Sequence, residues 1–227
     1  METLQKSNSE GLASGALSFY LGEYDLYYMR MTKCASDSIA YWLRGNIETL
    51  TSLFDVFVGD YERSFTTIRN PYDRVVSAYK HFLHRHQIEP ITKIKGLLHI
   101  EFSEFVDRII ELGHPEGLTD SNEIKENFYL QRMNPNLDDW EYTFKVHTVP
   151  LTHSFCDARM FSDILRFENL EDEWRKLLNK YNIPYSPLTH TNKVSGDVYW
   201  KYYDDVIIRD KVADYYKEDL LTFDYKF

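Results

Sequence analysis

The 227 residues suffice for one sizeable core, and 43% hydrophobic with 27% charged residues excludes a chain disordered throughout. The formal net charge of −10 excludes a general nucleic-acid binder, which needs clustered Lys and Arg, and fits a neutral or cationic small molecule better than a polyanion. No apolar run reaches the roughly 18 residues of a membrane span, and two cysteines, Cys34 and Cys156, make neither a disulfide framework nor a metal site.

Residues 1–23 are polar and Gly/Ser-rich and predict a mobile arm, leaving 24–227 as a single domain. Leu26 to Met31 reads as the first strand. It runs into Lys33 and a group of small residues, Cys34, Ala35, Ser36, Asp37 and Ser38, and then into a helix over 38–47 whose apolar positions begin at Ile39. Small residues between a strand and a helix let backbone N–H groups approach an anion, the helix dipole favours it, and Lys33 adds a mobile positive charge. In the same place a helix N-terminus and Lys33 could lower the Cys34 pKa, but the plainer reading of Cys34 is a small loop residue. Leu53 to Val58 reads as a second strand and Phe65 to Ile68 as a third. Arg69 stands at the end of the third, Asn70-Pro71 opens a helix to about His86, and Ser77 lies about two turns into it. Val75, Val76, Tyr79 and Phe82 share one side of that helix.

Lysine before a helix is usually a solvated charge, and Arg-Asn-Pro is often only a turn. Two anion-binding patterns in succession, each at the carboxyl end of a strand, point instead to one ligand with two separated anionic groups. KCASDSI resembles the 5′-phosphosulfate loop of sulfotransferases, and RNPYDRVVSAY is similar to their 3′-phosphate motif, closest to the carbohydrate-type, Golgi-like branch. The resemblance implies 3′-phosphoadenosine 5′-phosphosulfate (PAPS) as sulfuryl donor, 3′-phosphoadenosine 5′-phosphate (PAP) as product, and no metal. It implies a donor site of Lys33, Cys34, Ala35, Ser36, Asp37, Ser38, Ile39, Arg69 and Ser77. At Asp37 the family usually has a hydroxyl, so the carboxylate is expected to cap its own helix and face away from the phosphate. Without the anchor of the Golgi enzymes, the chain is expected to be soluble and cytoplasmic.

Farther along, Glu104 to Leu112 and Glu123 to Met133 predict helices, in the part of the chain where acceptor specificity most easily resides. Tyr142 to Ser154 is similar to a family segment through His147 and Pro150. DILRF, a strand over 163–167, followed by Glu168-Asn169-Leu170 and a helix to about Tyr181, matches another. In the polar loop HTNKVSG, Lys193 either reaches the 3′-phosphate or is solvated. Val198 to Tyr216 reads as one helix.

Strands alternating with helices predict an α/β fold, a central parallel sheet flanked by helices on both faces, P-loop-like, with ligands at the carboxyl ends of the strands. Within it, Lys33 is the candidate cation for the departing oxygen. An acceptor hydroxyl, of a carbohydrate or small molecule, also needs a base. His147 is the first candidate because its unperturbed pKa suits neutral pH; Glu48, Asp55 and His84 follow. A P-loop kinase or nucleotide hydrolase would need G-x-x-x-x-G-K-[ST], which is missing. The alternative from another class is a non-catalytic nucleotide- or glycan-binding module on the same scaffold.

Overall fold

A computed structural model describes residues 18–53, 61–88, 100–113, 140–153, 156–189 and 198–227. The arm up to residue 17, most of the strand expected over 53–58, the helix expected over 123–133, Asp55, the side chain of His84 and the Lys193 loop lie outside the described residues.

Five strands form one sheet in the order β3-β1-β2-β4-β5, with β1 Ser18–Leu21, β2 Leu26–Met29, β3 Leu50–Leu53, β4 Ser64–Ile68 and β5 Asp163–Arg166. The described helices are α1 Ser36–Asn46, α2 Pro71–Ile88, α3 Phe102–Leu112, α4 Trp140–Thr148, α5 Leu170–Lys180, α6 Val206–Tyr215 and α7 Lys217–Thr222. The α/β fold class is therefore as expected, and β2, β4 and β5 run parallel. The departure is β1, which pairs antiparallel with both β2 and β3. It occupies residues assigned to a mobile arm. A four-residue connection to β2 can join only antiparallel neighbours, whereas the parallel pairs need long crossovers. Gly22 opens that connection. A side chain there would meet Thr49 Oγ1 at 2.9 Å, and its N–H donates to Thr49 C=O at 3.0 Å.

Alternation along the strands divides the core between the two faces of the sheet. On one face Phe19, Leu26, Tyr28, Phe65 and Leu165 pack with Ile39, Trp42 and Leu43 of α1 and with Trp174, Leu177 and Leu178 of α5. Tyr28 and Phe65 are register partners whose rings stack at 4.6 Å, and Trp42 meets Trp174 edge-on at 5.0 Å. On the other face Met29, Met31, Ile68 and Ile164 pack with Leu151, Ala158, Phe161 and Phe223. A third cluster joins Tyr72, Val75, Val76, Tyr79 and Phe82 of α2 to α3, Phe144 of α4 and α6, which confirms the apolar side expected for α2. The helix expected over 198–216 is broken. A short 3-10 turn, Tyr199–Tyr202, ends before Asp205, whose carboxylate accepts the Ile207 N–H and starts α6 afresh.

Candidate active site

β2 and β4 run parallel, so the turns that follow them lie at the same edge of the sheet. After β2 the chain reverses into α1 through Lys33 and Ala35, which hold φ of 64° and 62°. These left-handed conformations cost a non-glycine residue roughly 1–2 kcal/mol each, so the surroundings must impose them. Arg74 does part of this. Its Nε donates to Thr32 C=O at 3.1 Å and its Nη1 to Val149 C=O at 2.6 Å, and it is 2% exposed. Arg69 does the rest, with Nη1 donating to Lys33 C=O at 3.0 Å. Thr32 Oγ1 adds a bond to Val146 C=O at 2.8 Å. Two arginines from the second motif thus hold successive carbonyls of the first.

The helix behind this turn begins without a side-chain cap. Ala35 is its N-cap, and the Ile39 N–H donates to Ala35 C=O at 3.2 Å. Helix geometry leaves the amides ahead of that bond without an intrahelical acceptor, and the helix end carries a positive partial charge. Such an end receives an anion. Cys34 and Ile39 direct their side chains into the core, where both are 0% exposed, so only their backbones can serve a ligand. The Cys34 thiol is pushed up to about 11, chiefly by burial, with Arg74 and Arg69 opposing. Desolvation outweighs the nearby cations, which fits the reading of Cys34 as a small loop residue rather than an activated thiol. Cys156 is likewise buried, and neither cysteine is in a disulfide.

Asp37 is not the cap expected of it. It lies in the first turn of α1, and its carboxylate pairs with Arg30 Nη2 at 2.6 Å. The Arg30 guanidinium thus offsets the Asp37 charge beside the turn. Ser36 and Ser38 are both 8% exposed in the same turn.

Lys33 is half-buried, and its pKa is lowered to about 8. Burial is the main cause, with the positive charges of Arg69 and Arg74 adding to it and Asp37 opposing. The sign for stability follows from the unfolded value near 10.5. The unfolded chain holds the proton more tightly, so this group's stabilising contribution is present above about 10.5 and lost as pH falls through about 8. Lys33→Met, which removes the half-buried charge, should raise Tm at pH 7 by about 2–4 °C for each kcal/mol regained. A thermal melt in which the variant unfolds below the wild type would contradict this.

Arg69 lies at the carboxyl end of β4, its guanidinium 4.0 Å from the Phe167 ring centroid and its Nε 2.8 Å from Asp73 Oδ2. Asp73 and Ser77 follow at one-turn intervals on α2, which places Ser77 on the stripe that begins under Arg69. Ser77 itself is half-buried.

The base candidates separate. His147 lies in the last turn of α4, where its ring stacks on His81 of α2 at 5.1 Å and meets Phe82 edge-on at 5.5 Å. His81 lies one turn beyond Ser77, and Val146, the residue before His147, accepts from Thr32, the residue before Lys33. Glu48 follows the far end of α1, about 16 Å of helix rise from the anion loop, so it does not share a site with Lys33. Sequence reasoning missed Arg74, Thr32 and Arg30 as parts of the loop. Arg74 sits within the quoted motif, but only the fold shows that it turns inward to a backbone 42 residues away.

Two strand-to-helix turns thus meet on one edge of an α/β sheet, one carrying a lysine and a helix N-terminus without a side-chain cap, the other an arginine and a serine. The model of a sulfotransferase family matches residues 18–226, and the chain belongs to that family. No curated protein and no solved structure matches it at the level that would show a relative. Membership supports sulfuryl transfer as the activity. Among the described residues no helix is long and apolar enough to cross a membrane, and no group of His, Cys, Asp or Glu could hold a metal ion.

Proposed function

We propose that this sulfotransferase takes the sulfuryl group of PAPS and transfers it to a hydroxyl of a carbohydrate or small-molecule acceptor, in the cytoplasm and as a member of the carbohydrate-type branch. The observation that carries the reading is the bond from Arg69 Nη1 to Lys33 C=O at 3.0 Å. It joins the two anion-binding turns into one site, as a donor with a 3′-phosphate and a 5′-phosphosulfate requires.

In this scheme the α1 N-terminus and the backbone of residues 34–39 hold the 5′-phosphate, while Arg69 and Ser77 hold the 3′-phosphate. The bond between sulfur and the bridging oxygen breaks as the acceptor oxygen attacks sulfur. Lys33 offsets the charge that develops on the departing phosphate oxygen. His147 takes the acceptor's proton, and its place on α4, one residue from the Val146 bond to the loop, supports that assignment. The net charge of −10 favours a neutral or cationic acceptor.

Calorimetric titration with PAP beside ATP tests the donor assignment. PAP should bind at least tenfold tighter, worth about 1.4 kcal/mol, because ATP lacks the 3′-phosphate. Equal affinities would mean that Arg69 and Ser77 have been misread. Turnover of PAPS to PAP with an acceptor distinguishes the enzyme from a binding module.

A further inference from the structure

The segment 223–227 lies across the turn between β4 and α2 and closes a circuit of hydrogen bonds around the residue next to Arg69. Glu168 Oε1 accepts the Asn70 N–H at 2.7 Å. Glu168 Oε2 accepts the Tyr225 hydroxyl at 3.0 Å. From Tyr225 the chain passes to Lys226, whose C=O accepts Asn70 Nδ2 at 2.8 Å. Asn70 Oδ1 in turn accepts the Tyr72 N–H at 3.1 Å and caps α2. Asn70 is 7% exposed and is held through its main-chain N–H and both ends of its side-chain amide.

The segment itself is anchored from both sides. Arg166, at the end of β5, donates Nη2 to Phe223 C=O at 2.7 Å, and its guanidinium lies 4.9 Å from the Tyr225 ring centroid. Beyond Lys226, the Phe227 ring meets Tyr72 edge-on at 5.0 Å and Tyr203 at 5.6 Å. Both oxygens of Glu168 accept donors within the circuit, which suits a positioning role.

We propose that Glu168, Asn70 and Tyr225 form a positioning circuit for Arg69, which sets how the protein recognises the 3′-phosphate. The inference rests on the donor reading above. Its physical basis is short range. Arg69 must release or share Asp73 to receive a phosphate while still holding Lys33 C=O, and the direction of its side chain follows from the main chain at Arg69-Asn70. Fixing the Asn70 N–H and side chain leaves the guanidinium little freedom, which is what a bidentate contact requires.

Tyr225→Phe removes one hydroxyl and leaves the ring under Arg166. It should weaken PAP binding roughly threefold to tenfold, the range of one hydrogen bond, and change ADP binding less than about twofold on the same scale. Glu168→Ala should do the same more strongly, and Glu168→Gln, which retains an acceptor for the Asn70 N–H, should recover most of the loss. Thermal melts accompany each titration. A loss confined to PAP supports the circuit. Equal losses for PAP and ADP, or unchanged binding of both, overturn it. A wild type that binds PAP no better than ADP overturns the donor reading itself, and this inference with it, and is distinguished because it appears before any substitution.

Discussion

Lys33→Ala should slow sulfuryl transfer by about a hundredfold to a thousandfold, the usual cost of losing one preorganised group that meets charge developing in the transition state. PAP binding should weaken far less, because on the proposed donor reading the helix end, Arg69 and Ser77 still hold both phosphates. The measurement is single-turnover transfer beside PAP titration, and equal losses in the two would remove Lys33 from the leaving-group role. The pH dependence carries the same assignment. With a pKa of about 8, Lys33 is charged below that value and neutral above it. Transfer measured as kcat/KM, which reports the free enzyme, should therefore fall above about pH 8, on the alkaline side of the acid limb that a histidine base imposes. Lys33→Arg keeps the charge at every accessible pH, so whatever its activity, the falling limb near pH 8 should be gone. A limb unchanged in that variant would belong to another group.

Arg74→Met should lower stability by roughly 2–5 kcal/mol, the sum expected when one buried and one partly buried carbonyl lose their donor. The carbonyls are those of Thr32 and Val149, which Arg74 joins at 3.1 and 2.6 Å. Methionine matches much of the volume, so the loss reads the hydrogen bonds more than a cavity. Thermal or urea unfolding checks it, and a shift of less than about 2 °C in Tm would show that the left-handed turn at Lys33 and Ala35 holds itself. Beside the Thr32–Val146 bond, the arginine is a second link between the Lys33 loop and the end of α4. Val149 leads into Leu151 and Thr152, whose N–H groups both donate to Asp219 at 2.8 Å. Asp219 is 1% exposed, and burial pushes its carboxyl up while the bonds from Leu151 and Thr152 oppose. The anion loop, the end of α4 and α7 are therefore tied through a buried polar chain.

Sequence reading found the parts of this site that are local. A strand, a run of small residues and an amphipathic helix are written into consecutive positions, so β2, the Lys33 turn and α1 were legible, and so were β4, Arg69 and α2. Arg69 and Ser77 could be paired because helical spacing alone sets their distance. The apolar side of α2 was visible for the same reason, since Val75, Val76, Tyr79 and Phe82 recur at helical intervals. β1 escaped because four residues after a polar stretch carry little periodic signal, and its place between β2 and β3 comes from pairing with both. The raised pKa of Cys34 was hidden for a related reason. Charge near a thiol can be read along the chain, but complete burial in a core assembled from distant segments cannot.

What the sequence determined by itself is the run of β2, the Lys33 turn and α1 and the run of β4, Arg69 and α2, because each depends on neighbours within about ten residues. What only the tertiary structure decided is how those turns become one site. Arg69 and Arg74 reach across to the carbonyls of Lys33 and Thr32, Asp37 turns to Arg30, and Glu168 and Tyr225 close on Asn70. These bonds join residues from separate elements, and their partners are chosen by the packing of the sheet and helices around them.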